Sequence, residues 1–165
     1  MEVSTQIQEF IEDNIALIEQ NTKESWEKIY EKLKDDSTLK GEFTQTILDI
    51  GIDDPAEVMG HIPEYYLYRS KIDHYKIPDN VTSIGYEAFA YCSSLTSVVI
   101  GNSVTSIGDY AFYSCKSLTK VEIGDSVTTI GDHAFYECRN LEDMYFVGDP
   151  KKIFSILSKL IVWSK

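Results

Sequence analysis

Residues 77–99, 100–122 and 123–145 superimpose without a gap, as IPDNVTSIGYEAFAYCSSLTSVV, IGNSVTSIGDYAFYSCKSLTKVE and IGDSVTTIGDHAFYECRNLEDMY. This fixed period of 23 residues constrains the fold more than any other feature of the chain. A unit so short cannot bury an apolar face alone, so consecutive units stack and the chain is expected to form a short solenoid. One set of positions stays apolar or small in all three units: Ile77/Ile100/Ile123, Val81/Val104/Val127, Ala88/Ala111/Ala134, Phe89/Phe112/Phe135 and Cys92/Cys115/Cys138. In Leu95-Thr-Ser-Val98-Val-Ile100 the spacing turns Leu95, Val98 and Ile100 inward on one short strand. Equivalent strands then form a parallel ladder with rungs ~4.8 Å apart. The V-T-S-I-G piece reads as a second short strand or extended turn, with Gly85, Gly108 and Gly131 at a backbone bend. The A-F-x-x-C piece reads as a turn of helix carrying one ring per unit into the core.

These three motifs, V-T-S-I-G, A-F-x-x-C and S-L-T-x-V, resemble the BspA-type leucine-rich repeats of bacterial and protist surface proteins and of bacteriophage proteins. The resemblance covers residues 77–145 and implies a solenoid used as a binding scaffold rather than as an enzyme.

The fold class expected for the whole chain is α+β, a short leucine-rich-repeat solenoid with helices at both ends. Residues 1–61 read as an acidic helical N-terminal domain. Its first helix, residues 4–20, turns Ile7, Phe10, Ile11, Ile15 and Ile18 to one side. A second helix is capped by Asn21 with Glu24 and buries Trp26, Ile29, Tyr30 and Leu33. A third runs from Ser37 or Thr38 to Ile50, burying Leu39, Phe43, Ile47 and Ile50, with Gly51 as its stop. Asp54-Pro55 starts a short fourth helix that ends at Gly60. Residues 62–76 form a degenerate half repeat: a shift of 23 places Tyr66 on Phe89, Ile72 on Leu95, Tyr75 on Val98 and Arg69 on the cysteine. Residues 146–165 read as a basic, amphipathic cap helix opened by Asp149-Pro150.

Net charge is −12, of which residues 1–60 carry −10. Such a chain repels nucleic-acid phosphates and attracts basic protein surfaces, so the expected partner is another protein with a basic surface and not nucleic acid or a membrane. Three cysteines at one repeat offset lack the clustered spacing of a metal site and read as small buried core residues. No glycine-rich phosphate loop, H-E-x-x-H or nucleophile elbow occurs, so no catalytic residue, metal or cofactor is expected. Met1-Glu2 opens no basic and apolar leader, which implies a cytoplasmic protein with reduced thiols.

Positions that vary at a fixed offset are where a recognition surface is written. On the solenoid they form the columns Asp73/Thr96/Thr119/Glu142, His74/Ser97/Lys120/Asp143 and Lys76/Val99/Glu122/Tyr145. Candidate partner-binding residues are therefore Lys120, Glu122, Glu142, Asp143 and Tyr145 on the solenoid. Glu9, Glu12, Asp13, Glu19, Glu27 and Glu31 are their counterparts on the helices. The expected function is a non-enzymatic protein-binding module. The pairing of an acidic helical head with these repeats is also similar to small bacteriophage proteins. That similarity implies an inhibitor of a host nucleic-acid-handling or defence protein. An adhesin-like surface protein and a structural, self-assembling protein stand as alternatives.

Overall fold

The computed structural model describes residues 3–148. They form a short solenoid of about three turns preceded by five helices: α1 (Thr5–Asp13), α2 (Ile15–Gln20), α3 (Lys23–Lys32), α4 (Ser37–Asp49) and α5 (Pro55–Met59). The strands are β1 (His74–Lys76), β2 (Ser83–Ile84), β3 (Ser97–Ile100), β4 (Ser106–Ile107), β5 (Lys120–Ile123), β6 (Thr129–Ile130) and β7 (Asp143–Phe146). Two parallel sheets run along the stack, in the orders β1-β3-β5-β7 and β2-β4-β6. Their register is the sequence period itself: His74, Ser97, Lys120 and Asp143 lie side by side, as do Ser83, Ser106 and Thr129.

Inside the stack every invariant position forms a column. Phe89, Phe112 and Phe135 stack in parallel at 4.9 and 5.2 Å between ring centroids. The cysteines are buried and unpaired, and each thiol donates to a backbone carbonyl one turn earlier. Cys92 bonds Leu67 O, Cys115 bonds Phe89 O and Cys138 bonds Phe112 O, at 3.0–3.1 Å. Burial pushes the Cys92 thiol up to about 11, so it stays protonated and inert.

Two local expectations are corrected. The A-F-x-x-C piece is a pair of consecutive turns rather than a turn of helix. Its internal bonds span three residues, as in Ala90 N–H to Glu87 O and Cys92 N–H to Phe89 O. Two residues per turn are left-handed: Glu87 and Tyr91, Tyr110 and Ser114, His133 and Glu137. That conformation is costly for residues with a Cβ. Here it aims each N–H along the stack, and Glu87, Tyr91, Tyr110 and Ser114 all donate to carbonyls of the next turn at 2.8–3.1 Å. The glycines of V-T-S-I-G likewise serve close approach rather than a bend. A Cβ on Gly108 would sit 2.9 Å from Gly85 C and Ile84 O, the backbone of the preceding turn.

The half repeat is also corrected. Tyr75 does pair with Val98, at a shift of 23. Residues 62–70 pair at one less, however: Ile62 bridges Ile84, and Leu67 N–H and Arg69 N–H donate to Ala88 O and Ala90 O. One residue is missing between Ser70 and Asp73 relative to a full turn. Leu67 therefore stands in the phenylalanine column and Ser70 in the cysteine column, with its hydroxyl 3.4 Å from Cys92 Sγ. Arg69 points out to solvent.

Among the helices, the expected first helix is two, broken at Asn14. That side chain is buried, bonds Phe10 O at 2.8 Å and accepts from Lys32 Nζ at 2.6 Å. The cap of α3 is Thr22, reciprocally bonded with Ser25, while Asn21 is left-handed and accepts from the Trp26 indole at 2.8 Å. Ile50 follows α4 and is 58% exposed rather than buried. Residue 146 lies in β7 and residues 147–148 are not helical, so the cap helix expected over 146–165 does not begin there, and its residues 149–165 fall outside the described residues.

Helices and repeats share one continuous core from Ile7 to Leu141. Asp54 ties them together. Its carboxylate caps α5 through Ala56 N–H at 3.0 Å and accepts the hydroxyls of Tyr66 and, at 2.5 Å, Tyr75. Burial first, and for Tyr75 then the Asp54 charge, keep both phenols protonated. Lys40 on α4 is also buried, donating to Glu64 O at 3.2 Å.

Two stability measurements check this account. In urea titrations Gly108→Ala is expected to lose about 1–3 kcal/mol, since its methyl meets fixed backbone. Gly101→Ala, with nothing within 4 Å of the added carbon, should change stability by less than about 1 kcal/mol. Asp54→Ala removes a cap and two phenol acceptors and should cost about 2–4 kcal/mol. Asp36→Ala removes only the cap bond to Leu39 N–H at 2.9 Å and should cost about 1 kcal/mol.

Candidate functional site

The fold sorts the candidate residues into two groups that do not meet. Glu9, Glu12 and Asp13 lie on α1, Glu19 on α2, and Glu27 and Glu31 on α3, all exposed. They are exposed because the apolar stripes of these helices, including Ile7, Ile18, Trp26 and Ile29, face the core. On α3 the acids alternate with lysines: Lys28 bonds Glu24 at 3.2 Å, Lys23 approaches Glu27 at 4.0 Å, and Lys34 bonds Glu31 at 2.9 Å. Glu9, Glu12, Asp13 and Glu19 have no ion pair among the described residues. The net negative field of the helices therefore comes from α1 and α2 together with residues 35–60, which hold seven acids and one lysine, rather than from α3. A shallow groove of about 610 Å³ beside it is lined by Leu17, Glu24, Glu27, Lys28, Glu31 and Lys32.

Lys120, Glu122, Glu142, Asp143 and Tyr145 belong instead to the far end of the long sheet, on or beside β5 and β7. The register places Lys120 next to Asp143 and Glu122 next to Tyr145. Lys120 Nζ lies 5.2 Å from the centre of the Tyr145 ring, which is 51% exposed. Moving toward the helices, the same columns hold Ser97 and Val99, then His74 and Lys76. One edge of the sheet thus presents a basic and neutral surface and the other an acidic and aromatic one.

The column Asp73/Thr96/Thr119/Glu142 behaves differently from the other two. Thr96 and Thr119 each give both N–H and hydroxyl to a carbonyl of the preceding turn, at 2.9 and 3.2 Å. These side chains belong to the ladder and not to a binding surface. Glu142 keeps only the N–H bond, to Thr119 O at 3.1 Å, because a carboxylate has no proton to donate. Its side chain extends into solvent.

The sequence offers the tyrosine crowding of the half repeat, at Tyr65, Tyr66, Tyr68 and Tyr75, as a contact patch. Through Tyr65 and Tyr68 it continues into an aromatic surface on the turn side of the solenoid that the sequence reading did not follow. There Tyr65, Tyr86, Tyr110 and His133 form one row, at 5.6, 6.1 and 5.1 Å between successive rings. Tyr68, Tyr91, Tyr113 and Tyr136 form a second, of which the inner two are joined at 5.3 Å, and Tyr110 meets Tyr113 edge to face at 5.5 Å. Tyr86 and Tyr110, and likewise Tyr91 and Tyr113, occupy neighbouring rather than equivalent repeat offsets, so a comparison by columns splits each row. Their common location on the turns is the signal that could have found them.

Among the described residues, no group of three or more His, Cys, Asp or Glu could hold a metal ion, and no helix is long and apolar enough to cross a membrane. The family described as BspA-type leucine-rich repeat region (6 copies) matches residues 60–160. No curated protein matches the chain. Among solved structures, a leucine-rich repeat protein from Bacteroides capillosus is 35% identical over 53% of this chain and 63% of that one, with a TM-score of 0.50. A leucine-rich cell surface protein from Faecalibacterium prausnitzii is 25% identical over 60% of this chain and 32% of its own, with a TM-score of 0.50. The pneumococcal vaccine antigen PcpA, at 22% identity and a TM-score of 0.52, shares the fold over 55% of this chain. The chain spans less than two thirds of each of these proteins.

Proposed function

The chain belongs to the BspA-type leucine-rich repeat family, and from that premise we propose that it is a non-enzymatic protein-binding module for a partner with a basic surface. The observation that carries this reading is the contrast between the two sides of the long sheet. Inward positions repeat as Val98/Val121 and Ile100/Ile123, while the outward ones change from Ser97 and Val99 to Lys120 and Glu122 to Asp143 and Tyr145. A stack that needs only its interior leaves those outward side chains free to be set by a partner.

Charge supports the second half of the reading. Carboxylates on α1 and α2 that form no ion pair among the described residues attract a basic surface from a distance, an effect that acts on association rate and fades over a Debye length of ~8 Å at physiological salt. In its sharper form, these acids stand in for nucleic-acid phosphates and occlude the basic groove of a nucleic-acid-handling or defence protein, as an inhibitor encoded by a bacteriophage and acting in the cytoplasm would. A second reading, adhesion at a cell surface, is favoured by the similarity to the Faecalibacterium prausnitzii cell surface protein.

The test is affinity capture with the tagged full chain from a cytosolic extract, followed by association kinetics on the captured partner. Glu12→Lys with Asp13→Lys should slow association about ten-fold and flatten its salt dependence without altering the melting temperature. Glu142→Lys with Asp143→Lys examines the sheet surface in the same way. If both double variants associate at the wild-type rate with wild-type salt dependence, the acidic-surface mechanism is wrong. Binding to intact cells with no cytosolic partner would favour adhesion.

A further inference from the structure

We propose that the tyrosine-lined turn side of the solenoid is a docking site for an arginine-rich segment of a partner protein. This rests on the protein-binding reading but uses a different face from the helical and sheet residues considered there.

The two rows of rings are only partly covered, with Tyr86 40% and Tyr91 41% exposed. Their edge-to-face contacts fix the rings before any ligand arrives, so little side-chain entropy is lost on binding. Nearest the helices the chain already supplies cations to this surface. Lys40 Nζ lies 5.8 Å from the centre of the Tyr65 ring, and the Arg69 guanidinium 5.9 Å from that of Tyr91. One turn further on, Tyr110 and Tyr113 have no lysine or arginine over them among the described residues. The surface is thus a cation-binding one: Tyr65 and Tyr91 are served from within, and Tyr86 is exposed with no lysine or arginine over it among the described residues. Tyr110 and Tyr113 are half-buried, each with one face stacked on His133 or Tyr136.

Acidic side chains flank the open part. Glu87 acts on the hydroxyls of both Tyr65 and Tyr86, and the Glu137 carboxylate acts on that of Tyr113. Asp109, beside Tyr110, is exposed and gives one oxygen to Asp132 N–H at 2.7 Å. Glu137 already holds a guanidinium, with Arg139 at 2.6 Å. Partial loss of water first, and then the Glu87 charge, push the Tyr86 phenol up to about 12, so that ring is neutral at physiological pH. Rings framed by carboxylates repel phosphate and favour a cation. Arginine suits them better than lysine: its planar group stacks on a ring while its fork of N–H donors reaches a carboxylate, and it gives up its water more readily.

The experiment titrates the full chain with octa-arginine and octa-lysine peptides of equal charge at physiological salt, by calorimetry. The arginine peptide should bind about five-fold more tightly than the lysine peptide. Tyr86→Leu with Tyr110→Leu should remove that preference, and Tyr110→Phe, which keeps the ring, should retain it. Should the double variant fold poorly, as judged by circular dichroism, Tyr86→Leu alone should still weaken arginine binding at least about two-fold. The inference is overturned if both peptides bind equally, or if the leucine variants bind like wild type. It is equally overturned if the preference disappears in the Glu12→Lys/Asp13→Lys chain rather than on loss of the rings. Binding of a neutral oligosaccharide in place of the arginine peptide would assign this face to a different ligand. Because the probes are peptides, failure here leaves the protein-binding reading to its own capture experiment.

Discussion

The solenoid, and the packing of the helices on its first turn, depend on backbone hydrogen bonds made from one turn to the next. In the long sheet each strand satisfies its N–H and C=O groups only through the strand 23 residues away, and buried backbone groups cannot go unpaired without a large cost. That single register dictates the side chains above it. Gly108 is needed where successive backbones approach too closely for a Cβ. The cysteine column is filled by a small residue whose thiol reaches the carbonyl of the turn before. Threonine at Thr96 and Thr119 supplies a second donor to the carbonyl that its own N–H already uses. Even the left-handed residues of the turns follow, since their strained backbone aims an N–H at the next layer.

A stack of this kind is open at both ends, and its first end shows how closure is achieved. The half repeat contributes Leu67 and Ser70 where a full turn has phenylalanine and cysteine, and Tyr66 and Tyr75 reach across to Asp54. Asp54 is also the cap of α5, so the residue that starts this helix anchors the first turn. The same geometry separates interior from exterior: ladder positions are dictated, whereas His74, Ser97, Lys120 and Asp143 share a structural place without sharing chemistry.

How far the sequence reached can be traced through particular residues. Inward Leu95, Val98 and Ile100, the stacked cysteines and the cap at Asp54 were all legible, because each follows from spacing or from local chemistry that repeats. The break at Asn14 was not, since it depends on Lys32 from another helix bonding the Asn14 amide. Nor was the shortened half repeat, because an ungapped shift cannot register one missing residue between Ser70 and Asp73. Of the candidate surfaces, exposure of the helical acids followed from amphipathic spacing. The pairing of Glu27 with Lys23 and of Glu31 with Lys34 follows from their spacing of four and three residues, whereas the continuation of the tyrosine rows along the turn side emerged only when the chain was folded.

The central claim is that a shift of 23 residues is the structural unit, and inserting one more unit tests it most directly. A chain carrying a tandem second copy of residues 100–122 should extend both sheets by a rung, unfold in one cooperative transition and melt at a higher temperature than the parent. The same insertion lacking Val121 turns the strand's remaining side chains to the wrong face, and should melt lower or lose cooperativity. Equal tolerance of the two insertions, or a lower melting temperature for the complete one, would contradict the account.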